Sequence, residues 1–194
     1  MIKRVRAALI AGVLLASNPI FGAVSAREPS AGLRYAQELY DRGDYSGSLS
    51  LLDTHATGPE ALFLIGRDYY MVGEFRKAGA YLKKATIADP ENSEYFDWLG
   101  RAYGRRAETS NPFATAPLAR KAREAFERAV QLNPRNSEAL SDLFDYYLAA
   151  PSFLGGGYDK AANVAERMTA IDLSEASSEQ SRLSQKRRQL QRGQ

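Results

Sequence analysis

The sequence contains no cysteine and only one histidine, His55. The lack of cysteine excludes disulfides, thiol chemistry and a lipid-modified cysteine. Without a cysteine or a second histidine, the usual zinc sites and the Ser-His and Cys-His nucleophile arrangements are excluded as well. The three glycines of residues 155–157 are followed by no Gly-Lys-Ser/Thr sequence, so they indicate a flexible connection and not a phosphate loop. We therefore expect no catalytic residue, no cofactor and no metal ion, and we interpret His55 as a surface or packing residue.

The N-terminal apolar stretch, residues 7–16, is ten residues long, whereas a membrane-spanning helix needs about 20. A basic segment precedes this stretch, and Val24, Ser25 and Ala26 follow it with the small side chains of a cleavage site. This pattern predicts a signal peptide at residues 1–26 and a periplasmic or secreted protein. An uncleaved N-terminal anchor is the alternative.

After residue 26, the chain has no excess of positive charge. The whole chain has 26 basic and 23 acidic residues, but residues 1–26 contain Lys3, Arg4, Arg6 and no acid. The remaining chain is therefore close to neutral. This balance argues against nucleic-acid binding, which usually leaves a basic electrostatic footprint.

Residues 62–90 show the periodicity on which the rest of the chain is based. Large apolar residues recur at steps of three and four, as in an amphipathic helix. Gly73, Glu74 and Phe75 interrupt the pattern, a second helical pattern follows, and Pro90 ends the unit. The stretch thus predicts a helical hairpin that belongs to a repeat of about 34 residues.

Further copies of this unit lie on both sides. Gly43, Asp44 and Tyr45 match the residues 73–75 thirty positions later, and Gly66 and Gly100 lie 34 apart. The second helices of these two units are offset by 44 positions, as shown by Ala78 and Ala122, so ten residues are inserted between the helices of the later unit. We predict that this insertion, within residues 105–119 and containing two prolines, forms a loop on one side of the domain.

This pattern resembles the tetratricopeptide repeat, whose positions carry an aromatic residue, Leu-Gly, Tyr, Ala, Phe and Pro. Tyr69, Ala78 and Pro90 match, whereas Leu62 replaces the aromatic residue, Ile65-Gly66 replaces Leu-Gly and Leu82 replaces Phe. Residues 101–105, the insertion and residues 153–157 also resemble exported bacterial members of that family. The resemblance implies an all-α fold, a right-handed superhelical stack of helix-turn-helix units. The units are expected at about residues 27–58, 59–92, 93–136 and 137–175. Residues 176–194 are polar and basic and are predicted to form a cap helix or tail; contact with an anionic surface is the alternative for this segment.

In the repeat family, the first helix of each unit lines a concave groove. The resemblance implies that the residues beside the signature positions face this groove. They are Arg34, Gln37, Tyr40, Phe63, Arg67, Tyr70, Met71, Asp97, Trp98, Arg101, Arg105, Asp142 and Asp145. Arg67 and Arg101 occupy equivalent positions and are expected to be neighbours that hold an anionic group of an extended peptide. The alternatives are that Asp97 and Arg101 simply pair along one helix, and that Trp98 belongs partly to the core.

Chaperone-binding members of the family hold a C-terminal carboxylate with Lys, Asn and Arg residues. The matching positions here carry Leu33, Gln37, Leu64, Glu94 and Trp98. Only Gln37 approaches the required chemistry. We therefore do not expect this carboxylate clamp.

The sequence favours a protein-binding or peptide-binding scaffold in the bacterial cell envelope. One alternative is a structural protein that self-associates through its outer face. A glycan-acting accessory enzyme is disfavoured, because no paired carboxylates stand out. We expect a protein or peptide partner, no nucleic acid and no small-molecule substrate, with membrane contact only through the basic tail or an uncleaved signal.

Overall fold

The computed structural model describes residues 30–52, 58–171 and 173–192. Within these ranges the chain forms helices and turns. The helices are α1 (Ala31–Asp41), α2 (Tyr45–Leu52), α3 (Pro59–Met71), α4 (Phe75–Ala88), α5 (Ser93–Thr109), α6 (Pro112–Leu132), α7 (Ser137–Ala149), α8 (Tyr158–Thr169) and α9 (Leu173–Arg192). The segment predicted as a signal peptide and His55 lie outside the described residues.

The first two hairpins turn in the same way. Gly43 and Gly73 both have a φ of 82°, in the left-handed region where a residue without a Cβ is favoured. In each turn the glycine N–H donates to a tyrosine carbonyl of the preceding helix, Tyr40 at 2.8 Å and Tyr70 at 3.0 Å. The repeated sequence therefore produces a repeated backbone turn.

Close helix packing in two hairpins depends on a glycine in the first helix. A Cβ on Gly66 would lie 2.6 Å from Leu82 Cγ, and one on Gly100 would lie 2.5 Å from Phe126 Cε1. Both distances are far below normal contact, so only glycine allows these helices to approach so closely. In the fourth hairpin the corresponding residue is Phe144, which is fully buried in a cluster with small residues of α8.

The predicted loop at residues 105–119 is wrong. Helix α5 continues to Thr109 and α6 begins at Pro112, so only Ser110 and Asn111 connect them. The insertion lengthens both helices, to 17 and 21 residues against 13 and 14 in α3 and α4. Pro112 occupies the first helical position, where the missing N–H costs little, and the Asn111 side chain caps the helix by accepting from the N–H of Ala114 at 3.0 Å.

Pro117 lies inside α6 and does not end it. The helices stay together here because Ala107 and Leu118 are buried and the Thr115 hydroxyl donates to the Ala107 carbonyl at 3.2 Å. Tertiary packing thus outweighs the cost of one missing backbone hydrogen bond.

Residues 150–157 form a defined turn and not a loose linker. Ser152–Leu154 is one turn of 3₁₀ helix, and the N–H of Gly157 donates to the Tyr147 carbonyl at 2.8 Å. A Cβ on Gly156 would lie 1.9 Å from the Ala150 carbonyl oxygen. The glycines therefore permit a tight reversal of the chain.

Helix α9 covers the end of the stack. Ala176, Glu179 and Leu183 are buried, and Arg182 forms an ion pair with Asp145 of α7. The guanidinium carbon of Arg182 also lies 5.2 Å from the centre of the Phe144 ring. Among the residues in the described ranges, no helix is both long enough and apolar enough to cross a membrane.

Candidate functional site

The odd-numbered helices line the inner face of the stack. Contacts join α1 to α3, α3 to α5, α5 to α7 and α7 to α9, while no two even-numbered helices touch each other within the described ranges. The helices of the inner layer of a curved stack lie closer together than those of the outer layer. We call this inner face, formed by helices α1, α3, α5 and α7, the groove.

Arg67 lies at the centre of an aromatic cage in this groove. Its guanidinium carbon is 4.2 Å from the ring centre of Tyr40, 4.9 Å from that of Trp98 and 5.4 Å from that of Phe63. Such stacking orients a guanidinium and contributes roughly 0.5 to 2 kcal/mol for each favourable pair. Arg67 Nε is buried without a hydrogen-bond partner, and no carboxylate of the described residues forms an ion pair with this side chain.

Trp98 contacts both of the arginines that occupy equivalent repeat positions. The guanidinium carbon of Arg67 lies 4.9 Å from the centre of the Trp98 ring, and that of Arg101 lies 4.8 Å from it. Tyr70 meets it edge-on at 5.4 Å, and Phe63 meets it at 6.4 Å. Only 9% of Trp98 is exposed and Phe63 is buried as well, so both belong largely to the core, and Trp98 forms a wall more than an open surface.

Arg101 is already neutralised by carboxylates. It forms ion pairs with Asp97 at 2.9 Å, with Glu138 at 3.1 Å and with Asp142. The pairing of Asp97 with Arg101 along one helix, the alternative interpretation of the sequence, is thus present. Although Arg67 and Arg101 occupy equivalent repeat positions and contact the same indole ring, they are not equivalent cations.

The carboxyls beneath Arg101 hold protons more tightly than exposed aspartates do. Burial raises the pKa of Asp97, and the positive charge of Arg101 offsets part of that rise. Burial also raises the pKa of Asp142, which is in hydrogen-bond contact with Asp97. A proton held between the two carboxyls reduces their repulsion while both remain beside one guanidinium.

A second buried acid was not predicted from the sequence. Asp68 of α3 is fully buried and accepts a hydrogen bond from the Ser48 hydroxyl at 2.6 Å. Burial raises the pKa of Asp68 to about 7, although the Ser48 hydrogen bond and the charge of Arg67 act against the rise. The signal in the sequence was Ser48 itself, which replaces the small apolar residue found at Ala78 in the next unit.

The remaining predicted groove residues are distributed along the inner face. The ring centres of Tyr70 and Phe75 lie 5.3 Å apart. Arg105 forms an ion pair with Glu108 and also lies over the Phe75 ring. Asp145 forms an ion pair with Arg182, and the Gln37 side-chain amide donates to the Asp41 carboxylate at 2.8 Å. Met71 is exposed at the end of α3. Most of the charged groups in the groove are thus engaged in contacts with one another.

A pocket of about 430 Å³ lies beside Arg67. Its apolar walls come from Leu33, Phe63 and Tyr95 of α1, α3 and α5. Arg34 and Arg67 contribute positive charge, and the remaining charged lining residues are Glu60 and Glu94. The pocket has room for a side chain or a chain terminus, and its balanced charges provide no net positive charge for a polyanion.

Comparison with solved structures shows that the chain has the fold of tetratricopeptide-repeat proteins. A repeat protein of this kind from Thermus thermophilus, TTC0263, is 20% identical with a TM-score of 0.61, covering 80% of this chain and 89% of that one. MamA is 20% identical with a TM-score of 0.57, and the match covers 81% of this chain and 96% of MamA. The first repeat domain of Spaghetti (RPAP3), solved with the HSP90 peptide SRMEEVD, is 22% identical with a TM-score of 0.52. That match covers 68% of this chain and 96% of the domain.

In sequence, the chain matches no protein-family model and no curated protein. The similarity to solved structures thus establishes the helical repeat stack and nothing finer. Within the described ranges, no group of His, Asp or Glu side chains has the arrangement of a metal site.

Proposed function

We propose that the protein is a scaffold that binds an extended peptide segment in its concave groove, with Arg67 receiving an acidic group. The observation that carries this proposal is the difference between the groove arginines. Arg101 and Arg105 have carboxylate partners, whereas Arg67 is caged by aromatic rings and forms no ion pair within the described residues. A carboxylate of a ligand supplies the missing charge-assisted hydrogen bonds.

The cage prepares Arg67 for this role. Because Tyr40 and Trp98 hold the guanidinium between their rings, little side-chain freedom remains to be lost when an anion binds. Aromatic residues and arginine are also the groups that most often dominate the energy of protein interfaces. The site therefore combines a fixed cation with flat apolar surface.

The ligand differs in chemistry from a chaperone C-terminal peptide bound by a carboxylate clamp. Leu64, at one of the clamp positions, is buried, and Glu94, at another, adds negative charge to the pocket beside Arg67. The charge of Glu94 would repel a cluster of acids. A segment with one acidic group fits better than a strongly acidic tail.

We expect that Arg67→Glu abolishes partner capture in the groove. A photo-crosslinking amino acid at Met71, which is exposed at the end of α3, would label a bound partner in cells. Loss of the contact and repulsion by the new carboxylate should lower the yield of crosslinked partner at least about tenfold. Arg76→Glu, the same charge change at an exposed residue of α4, is the matched control and should leave the yield unchanged.

Circular dichroism must show that both variants are folded, and Arg67→Gln removes the charge without introducing a new one. Identical crosslinked species in the wild type and in Arg67→Glu would contradict a groove site at Arg67. Crosslinks only between copies of this chain would support the structural, self-associating alternative instead.

We also propose that this scaffold acts in the bacterial cell envelope. The basic start, the apolar stretch and the small residues before position 27 support export. In cell fractionation, the protein should appear outside the cytoplasm with its first residue at Arg27. Recovery of the chain in the cytoplasm with Met1 intact would contradict the proposal.

A further inference from the structure

A second pocket, of about 410 Å³, lies between α5, α6, α7 and the 3₁₀ turn at Ser152–Leu154. Its walls are mainly apolar and are formed by Ala107, Ala119, Ala122, Phe126, Ala149 and Leu154. Small side chains on facing helices leave the space open. The volume suits one large side chain and is too small for a partner helix.

The lengthened hairpin and the glycine turn together build this pocket. Ala107 and Ala119 lie within residues 105–119, the stretch that contains the insertion, and Leu154 belongs to the 3₁₀ turn. The turn is held in place because the Tyr146 hydroxyl donates to the Leu154 carbonyl at 2.9 Å. The insertion predicted from the sequence and the turn at residues 150–157 therefore both contribute walls to one preformed cavity.

The pocket and the site around Arg67 are separated by no more than one residue, Trp98, which contacts side chains of both. Tyr70 and Arg101 line the pocket, and the same two side chains contact Trp98. The charged residues that line it are paired: Arg101 with Asp142, Arg105 with Glu108, and Asp145 with Arg182 of α9. Since these pairs neutralise one another, the rim favours a neutral apolar group over an ion.

We propose that this pocket receives a large apolar side chain, of the size of leucine, methionine or phenylalanine, from the same extended peptide whose acidic group contacts Arg67. This inference rests on the proposed function, because it assigns a second anchor to that ligand. Burial of one such side chain should improve affinity roughly tenfold to a hundredfold. The peptide would then be recognised by an acid and an apolar residue at a fixed spacing.

Gly104 offers a test that does not weaken the fold. It lines the pocket, and a Cβ at this position would meet no atom within 4 Å. Gly104→Leu should fill the pocket while favouring helix α5. Gly32→Leu is the matched control. Gly32 also lies in a helix, α1, it is exposed, and a Cβ at this position would also meet no atom within 4 Å.

The experiment selects a displayed library of random peptides on the wild type, Gly104→Leu, Gly32→Leu and Arg67→Glu. We expect the wild type and Gly32→Leu to enrich peptides with an acid and a large apolar residue at constant spacing. Gly104→Leu should keep the preference for the acid and lose that for the apolar residue, with affinity for wild-type-selected peptides reduced at least about tenfold.

Other outcomes overturn one proposal or both. If Gly104→Leu enriches the same apolar residue as the wild type, the pocket is not the anchor site, while the groove proposal stands. If Arg67→Glu enriches the same acidic peptides as the wild type, the groove proposal fails, and if the wild type enriches no peptide, both fail. A dimer of the wild type that Gly104→Leu abolishes in sedimentation would assign the pocket to a second copy of the chain and overturn the inference.

Discussion

Replacing Arg101 with methionine should lower the free energy of unfolding by about 3 kcal/mol near neutral pH. Arg101 is the shared partner of Asp97, Glu138 and Asp142, and Asp97 is 1% exposed. Without the guanidinium, the negative charge that Asp97 and Asp142 share around one proton loses its compensating cation. Denaturant unfolding followed by circular dichroism measures the change, with Arg76→Met on the exposed face of α4 as the control that should change little.

The loss should depend on pH in a defined direction. Burial already raises the pKa of Asp97, and removing Arg101 removes the charge that opposes the rise. The folded variant therefore binds a proton that the unfolded chain releases at lower pH, and its stability falls as pH increases through the folded-state pKa. Because burial already holds the pKa of Asp97 at about 8 in the wild type, the two proteins bind the same proton below that pH, and the destabilisation should be smaller at about pH 7 than at about pH 9.5.

A second substitution separates buried charge from other causes. Asp97→Asn added to Arg101→Met removes the uncompensated carboxylate and should restore at least about 1 kcal/mol at high pH. If Arg101→Met costs no more than Arg76→Met, Arg101 is not a structural link and its role in the groove must be reconsidered.

Two glycine-to-alanine substitutions in the same helix should have opposite effects on stability. At Gly100 the new Cβ would lie 2.5 Å from Phe126 Cε1, so overpacking should cost about 1 to 3 kcal/mol despite the better helix propensity of alanine. At Gly104 no atom lies within 4 Å of the Cβ, so alanine should stabilise the protein by about 1 kcal/mol.

Each variant serves as the control for the other, because the chemical change and the helix are the same. Midpoints of thermal and denaturant unfolding provide the comparison. Two shifts of the same sign would show that intrinsic propensity, and not the close approach of α5 and α6, decides the effect at these sites.

The architecture could be predicted because its cause is periodic in the sequence. Gly66 and Gly100 recur at the spacing of one repeat, and each permits the same close contact with the second helix of its hairpin. The prediction of a loop at the insertion is wrong because it assumes helices of constant length, whereas both helices of this hairpin are longer. Pro112 occupies a first helical position and the packing of Ala107 against α6 tolerates Pro117, and neither fact is visible without the neighbouring helix.

The contacts of the arginines in the groove could be predicted less well from the sequence. Arg67 and Arg101 occupy equivalent repeat positions, and the sequence distinguishes them only by Asp97, four residues before Arg101, where Phe63 stands four residues before Arg67. The rest of the difference comes from Glu138 and Asp142, which are 37 and 41 residues away from Arg101 along the chain. The second pocket depends in the same way on small side chains contributed by three helices and a turn.

The central claim is that Arg67 contacts an acidic group of a bound peptide. A double-mutant cycle tests it directly, with a library-selected peptide, its variant carrying an amide in place of the acid, the wild-type protein and Arg67→Gln. We predict that either change weakens binding and that the two together weaken it by clearly less than the sum, with a coupling energy of at least about 1 kcal/mol. Additive losses, with a coupling energy near zero, would show that the acid and Arg67 do not meet.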